Sequence, residues 1–153
     1  MAAGVLLNNA VAAFGTVGRN TLAPERRMTT SMSPTLVLWN GEPVLVLGSP
    51  GGDTIPNTVV RVLRNVVDYG LTLEDAIDAP RVHHGFVPDE IRYESGRAPA
   101  PAVLTELAGL GHKLAKPTRA IGDANAIVIA EGIASAYADP REGGLALAAR
   151  PTR

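Results

Sequence analysis

The chain has 153 residues, 46% of them hydrophobic but only 4% aromatic, and a net charge of −1. This length predicts one domain spanning 1–153, and the apolar content suffices for a core built on Val, Leu, Ile and Ala, which excludes a disordered chain. Scattered Lys and Arg exclude a basic nucleic-acid face, no apolar run approaches the roughly 18 residues of a membrane span, and the absence of cysteine excludes disulfides, thiolate metal sites and a Cys nucleophile.

In chain order, Met1 to Leu7 lacks the basic and long apolar regions of a signal peptide. Gly4 to Leu7 reads as a short strand ending at Asn8-Asn9. Residues 15–34 carry Gly15, Gly18, Asn20, Pro24 and Pro34 and read as a long surface loop. Thr35 to Trp39 and Pro43 to Leu47 flank Asn40-Gly41, a strong hairpin signal. Their nearly continuous Val and Leu predict strands covered on both faces, and Trp39 is expected to pack on the hairpin.

Gly48-Ser49-Pro50-Gly51-Gly52 breaks the second strand. A helix follows, with Asp53 or Thr54 as N-cap and Pro56 in its first turn. Val59, Val62, Leu63 and Val66 recur at i, i+3, i+4, i+7, with Arg61, Arg64, Asn65 and Asp68 on the other side, and Gly70 ends the helix. Thr72-Leu73-Glu74-Asp75 resembles a capping box opening a short helix that stops before Pro80. Glu90 to Tyr93 alternates like an edge strand. Pro101 to Leu110 reads as a third helix closed by Gly111, and His112 to Ala115 as a short strand. Asn125 to Ala130 and Ile133 to Ala138 read as two strands around Glu131-Gly132, and residues 139–153 as a tail. The order predicts an α+β fold with helices on a mostly antiparallel sheet.

The Gly48–Gly52 segment is the one with chemical potential. A strand that ends in Gly-Gly and opens a helix presents backbone N–H groups without side-chain obstruction, beside the positive end of a helix dipole. That suits an anion: a phosphate, a carboxylate or a transition-state oxyanion. No phosphate-binding glycine motif accompanies it. A plain strand-to-helix turn is the alternative.

Other candidates are weaker. His83 and His84 are adjacent on an extended stretch and point opposite ways, so a shared metal ion is disfavoured, and no metal or cofactor is expected. Asp75 and Asp78, at i, i+3, fit cap neighbours or a solvated face better than an acid–base pair. Arg81 after Pro80 is expected to be a buried ion-pair partner. Arg26-Arg27 either grips a carboxylate or is exposed loop charge.

Gly48 to Gly52, Asp78-Ala79-Pro80-Arg81-Val82-His83-His84, Ser31-Met32-Ser33-Pro34-Thr35, Gly4-Val5-Leu6-Leu7-Asn8-Asn9, Gly122 to Ile127 and Asp139-Pro140-Arg141 occur in one order along the chain. Together they resemble the small subunit of γ-glutamyltransferases. The resemblance implies part of an N-terminal-nucleophile hydrolase αββα sandwich that transfers or hydrolyses γ-glutamyl amides such as glutathione. In that family a self-cleaved N-terminal Thr attacks the amide. By position Gly51 and Gly52 supply the oxyanion hole, Thr30 and Ser31 bind the substrate α-carboxylate, and Arg27 sits beside them. The implied partners are a large subunit, the N-terminal part of the small subunit and a small amide substrate, with a periplasmic or extracellular location.

Three departures qualify this. The nucleophile's Thr-Thr-His-Tyr-like site belongs upstream of the Leu-Leu-Asn-Asn strand and is not in this sequence; Thr29 and Thr30 lie in a different segment. Ala12-Ala13-Phe14 stands where the family has Asp-Asp-Phe, as in related acylases and amidohydrolases. Thr30 replaces a Ser but keeps the hydroxyl. Three readings follow: part of a γ-glutamyltransferase, inactive alone; part of an acylase acting on a non-glutamyl amide; or a non-catalytic truncated paralogue that binds a partner.

Overall fold

The computed structural model describes Gly4 and residues 9–148, so the Gly4–Leu7 strand lies outside the described residues. The chain divides into two compact units, residues 1–31 and 32–153.

In the first unit, a 3-10 turn over Ala10–Ala13 precedes the Phe14 cap. The segment read as a long loop is organised by Asn20. Its side-chain amide donates to Ala13 O at 2.8 Å, and its carbonyl oxygen accepts from the Thr29 N–H at 2.8 Å. One Asn thereby satisfies backbone groups that a coil would leave to water.

Among the described residues the second unit holds nine strands and α-helices: β1 Thr35–Trp39, β2 Glu42–Gly48, α1 Ile55–Val67, α2 Leu73–Asp78, β3 Val82–His84, β4 Ile91–Tyr93, α3 Pro101–Gly109, β5 Asn125–Ala130 and β6 Ile133–Ala138. Four strands form an antiparallel sheet in the order β1-β2-β5-β6, and β3-β4 form a separate ribbon. Asn40 and Gly41 both take positive φ, 51° and 86°, as a two-residue hairpin turn requires.

One face of the sheet carries the core. Leu45, Leu47 and Ala126 pack against Ile55, Val59 and Val62 of α1 and Ala76 and Ile77 of α2, all buried. The predicted stripe on α1 is correct, with Leu63 and Val66 partly buried at its margin. Asn65, expected on the solvent side, is buried instead. Its side-chain amide donates to Ala76 O at 3.0 Å and so ties α1 to α2. At the end of α1, Gly70 (φ 63°) turns the chain so that the Leu71 N–H reaches Asn65 O at 2.9 Å.

Several expectations are corrected. Among the described residues of this unit, helices cover the sheet on one face: Leu36, Leu38, Val46 and Ile127 on the other are exposed. Near-continuous apolar strands report what a sheet needs, and this chain supplies helices for a single side. Trp39 is 72% exposed and does not pack on the hairpin. Thr54 occupies the expected N-cap position of α1, but its side chain makes no capping hydrogen bond. The Thr54 hydroxyl donates to Gly51 O at 2.9 Å, Asp53 turns to Arg92, and Pro56 in the first turn has no N–H to offer. Half of the capping box forms: Thr72 Oγ accepts from the Asp75 N–H at 3.1 Å, but its hydroxyl donates back to the Asp75 carboxylate, since Asp is one methylene shorter than Glu. Between His112 and Ala115 only an isolated bridge from Leu114 to Ile91 forms.

The expected tail begins with two buried charges. Asp139 is 0% exposed and the Arg141 side chain only 3%. Arg81, correctly expected to be a buried ion-pair partner, meets Asp139 at 2.7 Å and donates to Ile77 O and Ile121 O. Arg141 forks onto both Glu94 oxygens at 2.6 and 2.9 Å and reaches Asp139 at 3.1 Å. Glu94 also accepts from the backbone of Arg81 and Ile121. Two arginines and two carboxylates thus lock the C-terminal end of α2, the β3-β4 ribbon and the segment after β6 together.

Candidate functional site

The Gly48–Gly52 turn leaves β2 and enters α1 through a single 3-10 turn over Gly52–Thr54. Gly51 takes φ 136° and Gly52 φ 61°, conformations that L side chains rarely adopt. Close neighbours hold it. Ser49 Oγ donates to Pro50 O at 2.6 Å and accepts from the Asp123 N–H at 3.0 Å. A Cβ on Gly51 would lie 2.5 Å from Thr54 Oγ1 and 3.1 Å from Gly122 Cα. A Cβ on Gly122 would come within 2.3 Å of Thr58 Oγ1. Gly122 therefore matters as much as Gly51 to the shape of this turn, a role that its place in a Gly-Asp pair did not reveal.

Both turn glycines are exposed. An open cleft of about 260 Å³ lies against the turn, lined by Pro50, Gly51, Asp53, Thr54, Arg92 and Asp123 among others. Burial pushes the Asp123 carboxyl above the usual carboxylate range, and nearby Asp139 adds to it. Asp53 is engaged by Arg92 at 2.5 Å.

The other candidates fall into place. His83 is buried and His84 exposed, on opposite faces of β3 as the extended pattern requires. His84 Nε2 meets Asp89 at 2.9 Å, and its ring lies 6.4 Å from that of His112, which is thus less isolated than its sequence position suggests. Among the described residues no group of three His, Asp or Glu side chains could hold a metal ion. Asp75 serves the α2 cap, while Asp78 meets Arg97 at 3.3 Å and the Tyr137 hydroxyl at 3.4 Å, so they are not an acid–base pair. In the first unit, Arg27 and Thr30 are exposed and Ser31 is half-buried. Arg26 donates to Arg19 O at 3.2 Å. No helix among the described residues is long and apolar enough to cross a membrane.

The profile of gamma-glutamyltranspeptidase matches residues 1–149. The chain belongs to the γ-glutamyltranspeptidase family. Glutathione hydrolase proenzymes of Pseudomonas aeruginosa and Escherichia coli are each 39% identical to it, over 142 and 151 residues. Those matches cover 91% and 90% of this chain but 26% of each relative. The γ-glutamyltranspeptidase from Pseudomonas nitroreducens, solved in complex with L-DON, superposes with a TM-score of 0.84 at 36% identity, covering 97% of this chain and 84% of that one. The chain therefore spans about a quarter of the length of the curated γ-glutamyltranspeptidase relatives. Its α+β architecture is part of the N-terminal-nucleophile hydrolase fold.

Proposed function

We propose that this chain supplies the oxyanion turn and substrate-binding segments of an enzyme that transfers or hydrolyses γ-glutamyl amides such as glutathione. It would work within a larger assembly containing a large subunit and the N-terminal part of the small subunit. The observation carrying this is the Gly51-Gly52 turn: two positive-φ glycines, exposed, at the start of α1 and braced by Gly122. In the assembled enzyme a Thr hydroxyl attacks the amide carbonyl, with the threonine's own amine taking its proton. The carbonyl oxygen gains negative charge, which the Gly51 and Gly52 N–H groups stabilise, and the leaving amine departs with a proton. Thr30 and Ser31 would hydrogen-bond the substrate carboxylate, with Arg27 beside them.

The chain alone is expected to release no chromophore from a γ-glutamyl anilide. Measurable turnover by it would contradict the assignment of the nucleophile to another segment.

Ala12 and Ala13 favour a second reading, hydrolysis of a non-glutamyl amide. They sit exposed on the 3-10 turn and carry no carboxylate to pair with a glutamyl ammonium. In the restored enzyme, Ala13→Asp is expected to raise turnover of glutamyl substrates relative to other amides. Unchanged selectivity would show that the lost carboxylate is not the cause of a different substrate choice. A truncated, non-catalytic partner-binding role is what remains if the restored enzyme hydrolyses no amide.

A further inference from the structure

His83 is only 4% exposed, and neither of its ring nitrogens has a hydrogen-bond partner among the described residues. It stands opposite Arg92 in the β3-β4 register. Both side chains reach the same group: Asp53 Oδ2 lies 3.6 Å from His83 Nε2 and 2.5 Å from Arg92. Asp53 follows Gly52 directly, so its carboxylate hangs from the turn assigned above to the oxyanion. We propose that His83 is a proton-sensitive neighbour of the Gly51-Gly52 turn, acting on it through the Asp53 carboxylate. This rests on the oxyanion reading of that turn.

The neutral imidazole is the favoured form. Burial holds His83 below the usual histidine range, and the Arg92 guanidinium and His84 push the same way, against the weaker pull of Asp53. Glu90 is the remaining charged group on the small cavity formed with Asp53, Gly85 and Arg92. With neutral His83, Asp53 belongs to Arg92. A protonated His83 brings a second cation to the same oxygen. A charge-assisted hydrogen bond closes to about 2.7–2.9 Å, so the carboxylate must move toward the ring. Gly52, with open space around its Cα, is the least constrained link between Asp53 and β2, so the movement enters the turn there. Acidification therefore reshapes the turn, and the neutral imidazole preserves it.

The test needs no turnover. In the labelled 153-residue chain, the Gly51 and Gly52 amide resonances and the His83 ring are followed from about pH 8 to about pH 5, across the ordinary histidine midpoint. The glycine amides are expected to shift with the midpoint of His83, which lies below the ordinary histidine value. In Asp53→Asn, at an exposed side chain, His83 should still titrate while the glycine shifts vanish. In His83→Gln the turn should keep its neutral-pH resonances throughout. Glycine amides that stay fixed while His83 titrates, or that still follow it in Asp53→Asn, overturn the proposal. If the restored enzyme is inactive on every amide but the coupling is present, the oxyanion reading fails and the coupling stands.

Discussion

Replacing Arg141 by alanine is expected to cost about 3–5 kcal/mol, the usual penalty for leaving a buried charge without its partner. Against a typical domain stability of about 5–15 kcal/mol this removes a large share of the folded population. Arg141 carries the only side-chain cations on Glu94 among the described residues, and Glu94 is 1% exposed. Urea unfolding checks it: a midpoint within experimental error of the parent would mean that the network is solvated in solution. The Arg81–Asp139 pair is lopsided. Burial, joined by the Arg141 charge, draws Arg81 down, yet Asp139 ends below the usual carboxylate range because Arg81 and the Ala124 and Arg141 amides outweigh its own burial. Asp139 is the better guide, since an arginine does not give up its proton and the carboxylate is the group that titrates. Its folded value is depressed, so its stabilisation is full above about pH 4, the unfolded value, and is lost as pH falls toward the folded one. His83 has the opposite chemistry but the same sign. A base held below its unfolded value resists protonation in the fold, so stability also declines as pH falls below about 6.5.

The second large effect is Gly51→Ala. Its Cβ would meet Thr54 Oγ1 at 2.5 Å and Gly122 Cα at 3.1 Å, on a backbone with φ 136°. Thr54 can rotate, but the Gly122 backbone cannot, so the turn must open. In the restored enzyme this is expected to lower kcat by about 10²–10³-fold, the scale of losing one oxyanion donor. Gly52→Ala is the internal comparison. Its Cβ would meet nothing within 4 Å, and only the φ of 61° opposes it, at roughly 1–2 kcal/mol. Its kcat loss should therefore be smaller, and equal losses at both positions would point to a general disturbance of the α1 start instead of loss of a donor.

Local signals were legible. Asn40-Gly41 predicted the hairpin, the Val stripe predicted the buried face of α1, and the bounds of β5 and β6 agree with the two strands read on either side of Glu131-Gly132. What escaped was long-range pairing. Arg81 announced a buried ion pair, but Asp139 and Glu94 lie far along the chain and no local pattern links them. Asn65 looked like a solvated helix position because its partner, Ala76 O, belongs to the next helix. Adjacent histidines implied opposite faces without saying which was buried, since that depends on which segments pack against the ribbon. In the site, the glycine turn was readable from Gly51 and Gly52 alone. Its brace was not, because Gly122 reaches it from the far side of the sequence.

The buried charge network also imposes an order of events during synthesis. Glu94 leaves the ribosome 47 residues before Arg141, the cation that forks onto it. Until then the interior between α2 and the β3-β4 ribbon contains a carboxylate whose main partner has not been made. Closure of this unit must wait for that pair, so the nascent chain stays open and accessible to other segments until Arg141 has emerged.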